Sequence, residues 1–152
     1  MPKQLTKTLG DFKVSTDILR QGFASLAGNK PELNDLGIIF DTDVDRSSCV
    51  DKNGEEINRN RLIALSSAIV LEQSPGSTIV TDSITSTELS EFITKLGGKH
   101  FRFQRGYKNV INKAKDLNEK GIVCQLAIET SGHAAFKENR FLDDGAYLVA
   151  KI

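Results

Sequence analysis

The chain has 152 residues, 39% of them hydrophobic and 26% charged, with 20 basic and 20 acidic side chains and no net charge. This is ordinary globular composition for one domain or two small ones, and a zero net charge provides no field to draw in nucleic acid or an anionic membrane. Aromatic residues make up 7% of the chain, too few for a single-strand stacking platform, and no apolar run reaches the length of a membrane span. Met1 to Gly10 carries lysines without a following apolar stretch, so it does not read as a secretory signal. Cys49 and Cys124 each lie inside a strand-like apolar run and read as buried, reduced thiols. A cytoplasmic location is expected, with a plastid or other organelle left open.

In chain order, Ser15 to Leu26 reads as a helix: Ser15 is a candidate N-cap, Ile18, Leu19, Phe23 and Leu26 form a stripe, and Gly28 ends it. Leu36 to Phe40 is a short continuous apolar run, as in a buried strand. Ser48-Cys49-Val50 and Glu55 to Ile57 flank Lys52-Asn53-Gly54, a hairpin pattern closed on Asn-Gly. Asn58 is placed to cap a helix with Leu62, Leu65 and Ile69 on its apolar face, stopped by Pro75-Gly76. Thr78 to Thr81 reads as a strand. Thr85 and Glu88 have capping-box spacing ahead of Leu89, Phe92, Ile93 and Leu96, with Gly97-Gly98 as terminator. Phe101 and Phe103 alternate with basic residues, as in a half-exposed strand. Val110, Ile111, Ala114 and Leu117 mark one more helical face, and Val123 to Ile128 one more strand.

From Asn58 onward helices and strands therefore alternate. The expected fold is α/β, with a mixed, largely parallel sheet. The natural seam lies after the hairpin, dividing the chain into 1–57 and 58–152. The last apolar, helix-like stretch, Ala146 to Ile152, reaches the end of the chain before any terminator, and a continuing domain is expected there.

Two segments carry chemistry. In Asp41-Thr42-Asp43-Val44-Asp45-Arg46, three aspartates alternate directly after a strand. Carboxylates two apart in extended chain point the same way, and three such charges repel unless a cation lies between them. Hard oxygen donors suit magnesium or calcium. A solvated acidic loop is the alternative reading. An EF-hand loop fails, because Arg46 stands where glycine is required and Lys52 where glutamate is. A small phosphatase with Asp41 as nucleophile and Asp43 as the second aspartate two residues on remains a rival, with Asp45 standing where that pattern has Thr or Val and Asp143-Asp144 as its later acidic pair. Arg46 is placed to reach a phosphate bridging to a bound metal, or to act as counterion to the aspartates.

The second segment is Ile128-Glu129-Thr130-Ser131-Gly132-His133. An acceptor, a hydroxyl and an imidazole close together suit a polyhydroxylated ligand, whose vicinal hydroxyls both donate and accept. A Ser–His–acid hydrolase is disfavoured, since no nucleophile-elbow glycines flank Ser131. A polar turn with a satisfied histidine stays open on these residues alone.

Taken together the two segments resemble the alpha-D-phosphohexomutase superfamily of phosphoglucomutases, phosphomannomutases and phosphoglucosamine mutases. Asp41 to Arg46 resembles the metal loop that ends that family's second domain, and Glu129 to His133 the sugar-specificity loop of its third. Phe136-Lys137-Glu138 and Asp143-Asp144-Gly145 fit the stretch that follows. The resemblance covers Leu36 to Ile152 and implies a reversible shift of phosphate between the 1 and 6 positions of a hexose through a bisphosphorylated intermediate. By position it implies that Asp41, Asp43 and Asp45 hold Mg²⁺, that Arg46 lies near the phosphoryl group, and that Glu129 and Ser131 grip sugar hydroxyls, with His133 in the same loop. The ligand partners implied are a hexose 1- or 6-phosphate and its bisphosphate.

Departures from the family pattern are specific. Thr42 and Val44 stand where the metal loop usually has glycine. Gln104-Arg105-Gly106-Tyr107 stands where Lys-Thr-Gly-His is usual, so Arg105 or Lys108 is the candidate for the missing positive charge. No Thr-Ala-Ser-His phosphoserine loop and no arginine-rich C-terminal phosphate loop occur in these 152 residues. The resemblance thus implies dependence on the remaining domains of a parent enzyme, and no mutase turnover by this chain alone.

Overall fold

In a computed structural model, residues 6–9, 12–15, 36–51, 56–57 and 59–152 are described. Strands β1 (Thr6–Leu9) and β2 (Phe12–Ser15) pair antiparallel, with Leu9 opposite Phe12. This hairpin has no counterpart in the sequence reading. Ser15 closes β2, and the helix expected after it lies outside the described residues, as do Asn53-Gly54 and the capping role of Asn58.

Strands β3 (Leu36–Phe40), β4 (Ser47–Asp51) and β5 (Glu56–Ile57) form an antiparallel sheet in that order. Phe40 lies opposite Ser47, so the connection between β3 and β4 is the acidic segment itself. Helix α1 (Arg59–Gln73) follows and stops before Pro75-Gly76, where Gly76 adopts φ +79. Then come β6 (Thr78–Asp82), α2 (Thr87–Lys95), β7 (Lys99–Phe103), α3 (Tyr107–Glu119), β8 (Cys124–Ile128), β9 (Ala134–Phe136) and α4 (Gly145–Lys151). The sheet order is β7-β6-β8-β9; β6 is parallel to both β7 and β8, and β9 is antiparallel to β8. The fold is α/β with a mixed, largely parallel sheet.

Apolar cores cover both faces of this sheet. On one face Leu62, Ile63, Val70 and Leu71 of α1 meet Ile79, Leu126, Ile128, Phe136 and Leu148; Cys49 of β4 joins this core and ties the two sheets together. On the other, Val110, Ile111, Ala114 and Leu117 of α3 pack on Val80, Cys124 and Ala127. A one-residue register shift between Thr78↔Cys124 and Ile79↔Leu126 sends Cys124 and Leu126 to opposite faces.

Two boundaries differ from expectation. Ser86, not Thr85, caps α2: its hydroxyl accepts from the Leu89 amide at 3.2 Å, while the Thr85 hydroxyl donates to the Asp82 carbonyl at 3.1 Å. The capping-box match at Thr85 is displaced by one because Thr85 is drawn into a buried hydroxyl pair with Thr81. Val123 is 51% exposed and precedes β8 rather than starting it.

Candidate metal and sugar-loop site

The acidic loop is shaped by its own backbone. The Val44 amide donates to the Asp41 carbonyl at 3.3 Å, and Val44 sits at φ +63. A β-branched residue in the left-handed region costs roughly 1–2 kcal/mol, which the glycine of the family pattern would avoid. Asp41 Oδ1 accepts from the Arg46 amide at 3.2 Å, and Oδ2 accepts from Arg46 Nε. Burial raises the Asp41 pKa, but these Arg46 contacts outweigh it and hold the carboxyl below its ordinary value. Asp45 shifts the other way. Burial is foremost, opposed by His133 and assisted by the carboxylates of Asp41, Asp143 and Asp43.

The second loop leaves the carboxyl end of β8. The Glu129 amide donates to the His133 carbonyl at 2.9 Å, and Gly132 turns the chain at φ +100. Glu129 is 5% exposed, yet its carboxylate is fully oriented: Oε1 accepts from the Gly106 amide at 2.6 Å and Oε2 from the Ser131 hydroxyl at 3.1 Å. Gly106 is the N-cap of α3 and has no cap bond from its own side chain, so Glu129 supplies the anion that the helix N-terminus favours. Thr130 is pinned from below, its hydroxyl donating to buried Asp82 at 2.6 Å. His133 Nδ1 lies 2.7 Å from Asp143 Oδ2, and Tyr107 stacks on the imidazole with ring centroids 4.6 Å apart. Burial depresses the His133 pKa, but the Asp143 bond and the charges of Asp143 and Asp45 raise it overall.

The two loops touch. Arg46 and His133 form an antiparallel backbone bridge, and the Gly145 amide at the start of α4 donates to the Val44 carbonyl at 3.0 Å. Both approaches require glycine. A Cβ on Gly132 would lie 2.8 Å from the Ser47 carbonyl oxygen, and one on Gly145 2.7 Å from the Arg46 carbonyl carbon. His133 Nδ1 is consequently 3.8 Å from Asp45 Oδ2. A small, half-open cleft beside the junction is lined by Asp41, Arg46, Ser47, Ser48 and Ser131 with Ile39 and Phe40.

Asp41, Asp43 and Asp45 can each direct a carboxylate oxygen to within 4.8 Å of the others. Asp45 Oδ1 and Asp143 Oδ1 are buried and accept no hydrogen bond. An all-oxygen triad with an orphaned buried acceptor fits a hard divalent cation. The phosphatase rival is poorly served at its later acidic pair: Asp143 is bonded to His133 at 2.7 Å, and Asp144 caps α4 by accepting from the Tyr147 amide at 2.9 Å. Arg105 and Lys108 stand exposed at the start of α3, outside the hydrogen bonds that join the two loops; Lys108 Nζ is 5.7 Å from the Tyr107 ring centre. Asp82, Tyr107 and Asp143 join the candidate site without having been proposed as its binding residues: Tyr107 entered as part of Gln104-Arg105-Gly106-Tyr107, Asp143 as the phosphatase rival's acidic pair and in Asp143-Asp144-Gly145, and nothing in the sequence near Asp82 marked it.

Residues 58–152 match the family model described as phosphoglucomutase/phosphomannomutase, alpha/beta/alpha domain III. The chain belongs to the phosphoglucomutase/phosphomannomutase family. A phosphomannomutase/phosphoglucomutase of Pseudomonas aeruginosa is 36% identical over 128 residues, 84% of this chain and 27% of that protein. A phosphoglucomutase of Neisseria gonorrhoeae is 31% identical over 119 residues, 78% of this chain and 25% of that one. The crystal structure of a phosphoglucomutase/phosphomannomutase family protein from Burkholderia thailandensis superposes with a TM-score of 0.74 at 31% identity, over 90% of this chain and 28% of that one. The chain thus spans about a quarter of the length of the family relatives it matches. No helix among the described residues is long and apolar enough to cross a membrane.

Proposed function

We propose that this chain is the central portion of a Mg²⁺-dependent phosphohexomutase, with residues 1–57 ending its second domain and 58–152 forming its third. The observation that carries the reading is the junction itself. One backbone bridge and the Gly132 contact hold the Glu129–His133 loop against the aspartate loop, with Gly145 of α4 seated on the same loop, in a chain of this family.

Asp41, Asp43 and Asp45 would hold the ion, which when bound neutralises charge on a transferring phosphoryl group. Arg46, fixed by Asp41, sets a guanidinium beside the same place for phosphate. Each Glu129 oxygen already accepts one bond and keeps capacity for one more, so Glu129 can receive the proton of a sugar hydroxyl. Ser131 spends its own proton on Glu129 and is left as an acceptor for the neighbouring hydroxyl. A vicinal diol on a hexose 1- or 6-phosphate, or on the bisphosphate, meets this pair. His133, held by Asp143 and covered by Tyr107, closes the loop over the triad. Arg105 and Lys108 supply positive charge at the exposed rim. The transferred phosphate is carried by a phosphoserine outside these 152 residues, so this chain alone binds without turning over. Its sugar affinity is weak because most phosphate contacts lie elsewhere.

The test is an amide NMR titration of the 152-residue chain with Mg²⁺. Shifts concentrated at Asp41 to Arg46, spreading to His133 and lost in Asp43→Ala, are expected. A well-dispersed spectrum that does not respond there at millimolar Mg²⁺ overturns the metal assignment. Hydrolysis of a generic phosphate ester that is abolished by Asp41→Asn would move the reading to the phosphatase.

A further inference from the structure

Asp45 belongs to two sets of donors. Its carboxylate lies within 4.8 Å of those of Asp41 and Asp43, and also of His133 Nδ1 and a carboxylate oxygen of Asp143. We propose that Asp45, His133 and Asp143 form a second cation site, for a divalent ion that accepts an imidazole nitrogen, such as Zn²⁺. Because both sets need Asp45, occupation of this site excludes Mg²⁺ from the aspartate triad.

Three observations carry this. The donor chemistry differs: two carboxylates and one imidazole suit Zn²⁺, whereas the three-carboxylate set suits Mg²⁺. The spacing is nearly that of a formed site. Ligands at about 2.0–2.1 Å in a tetrahedral shell are about 3.3 Å apart, and the present separations from His133 Nδ1, 2.7 Å to Asp143 and 3.8 Å to Asp45, straddle that value. The three donor atoms all lie within 4.8 Å of one another. The remaining oxygens of both carboxylates, Asp45 Oδ1 and Asp143 Oδ1, are buried without a hydrogen-bond partner. The surrounding charge favours a cation. Four carboxylates, Asp41, Asp43, Asp45 and Asp143, face Arg46 and one imidazole, and Arg46 Nε is 3.7 Å from Asp45 Oδ1 but bonded to Asp41. The Tyr107 ring shields one face of the imidazole from water without blocking Nδ1, which points to Asp143.

The nitrogen-containing site stands independently of the mutase reading; only the mutual exclusion rests on it. The test is titration of the isotope-labelled 152-residue chain with ZnCl₂, followed by MgCl₂ at saturating Zn²⁺. Expected are shifts of the His133 imidazole and of the Asp45 and Asp143 amides at one ion per chain. Affinity should fall at least tenfold in His133→Gln and in Asp143→Asn and change less than twofold in Asp43→Ala, and bound Zn²⁺ should silence the Mg²⁺ response at Asp43. A ¹¹³Cd spectrum of the unmutated chain gives a reading free of folding effects, with a shift in the nitrogen–oxygen range expected. The proposal is overturned if Zn²⁺ binding is lost in Asp43→Ala and kept in His133→Gln, if the shifts centre on His100, Cys49 or Cys124, or if cadmium reports oxygen donors only. Zn²⁺ binding at His133 with no Mg²⁺ response in the absence of Zn²⁺ would leave this site standing and remove the magnesium reading instead.

Discussion

Gly145→Ala tests whether the acidic loop rests on helix α4. The added methyl would lie 2.7 Å from the Arg46 carbonyl carbon, 2.8 Å from its oxygen and 2.9 Å from the Val44 oxygen, all of them backbone atoms that cannot swing aside. Overpacking of this kind costs roughly 1–3 kcal/mol, and separating the Gly145 amide from the Val44 carbonyl loses about 1 kcal/mol more. Alanine returns up to about 1 kcal/mol through helix propensity. The net is destabilisation of about 2 kcal/mol, a Tm lower by roughly 4–8 °C for a chain of this size. The control is Gly121→Ala. Gly121 sits at φ +78 with nothing within 4 Å of the added carbon, so its cost of about 1–2 kcal/mol is conformational and local. Calorimetry gives the stability, and amide hydrogen exchange gives the place. Gly145→Ala should speed exchange at Val44 to Arg46 as well as at position 145, and Gly121→Ala should leave the loop untouched. Wild-type Tm with unchanged loop exchange in Gly145→Ala would refute the claim that α4 buttresses the aspartates.

Three further outcomes follow from other contacts. His100, bonded through both ring nitrogens to Thr81 and Ser90, is held by burial and by Arg102 at a pKa of about 4, against 6.5 when unfolded. The unfolded chain takes up that proton first, so stability is lost as pH falls from 6.5 towards 4, and denaturant melts of His100→Gln should show a flatter profile across that window. Thr130→Val removes the hydroxyl that donates to buried Asp82 and should cost about 1–3 kcal/mol in the same melts, with the exchange change centred on 129–133. Ser86→Ala removes the cap of α2 and should cost about 1 kcal/mol by thermal melting, whereas Thr87→Ala, on the exposed first turn, should be near neutral.

Periodicity was enough to read that the helices and parallel strands exist, but not always which face is buried: in α1 the buried face is Leu62, Ile63, Ser66, Ser67, Val70 and Leu71, while Leu65 is exposed, and in α2 Phe92 is exposed. Val110, Ile111, Ala114 and Leu117 are all buried in one core, as their spacing requires. The hairpin of Thr6–Leu9 and Phe12–Ser15 escaped because its strands are short and lysine-bearing, so alternation there resembles a polar tail. The α2 cap escaped because Thr85, Ser86 and Thr87 are all competent, and only the tertiary pull of Thr81 on Thr85 decides among them. In the site, the aspartate alternation and the Glu-Thr-Ser-Gly-His run were local and therefore legible. The relation of His133 to Asp143, and of Glu129 to Gly106, joins residues 10 and 23 positions apart; the first exists once Asp143 bridges Ala135 beside β9, the second once β7 and β8 flank β6.

What converts two local motifs into one site is a set of residues with no chemistry of their own. Gly132 and Gly145 permit backbone approaches that any side chain would block, Gly132 at Arg46 and Ser47 and Gly145 at Val44 and Arg46. Val44 is the counterweight. Its strained left-handed backbone turns its carbonyl towards the Gly145 amide, and loss of that bond would remove the contact that α4 makes in return for the strain. Val44→Gly would relieve the strain but enlarge the freedom of the unfolded loop, and these terms are each about 1 kcal/mol and opposed. Substitution at Val44 should therefore leave global stability nearly unchanged while loosening the loop, whereas substitution at Gly145 should change both. The asymmetry follows from where each effect acts: the Gly145 clash is felt only in the folded chain, whereas at Val44 the strain relieved in the folded chain is offset by the freedom glycine adds to the unfolded one.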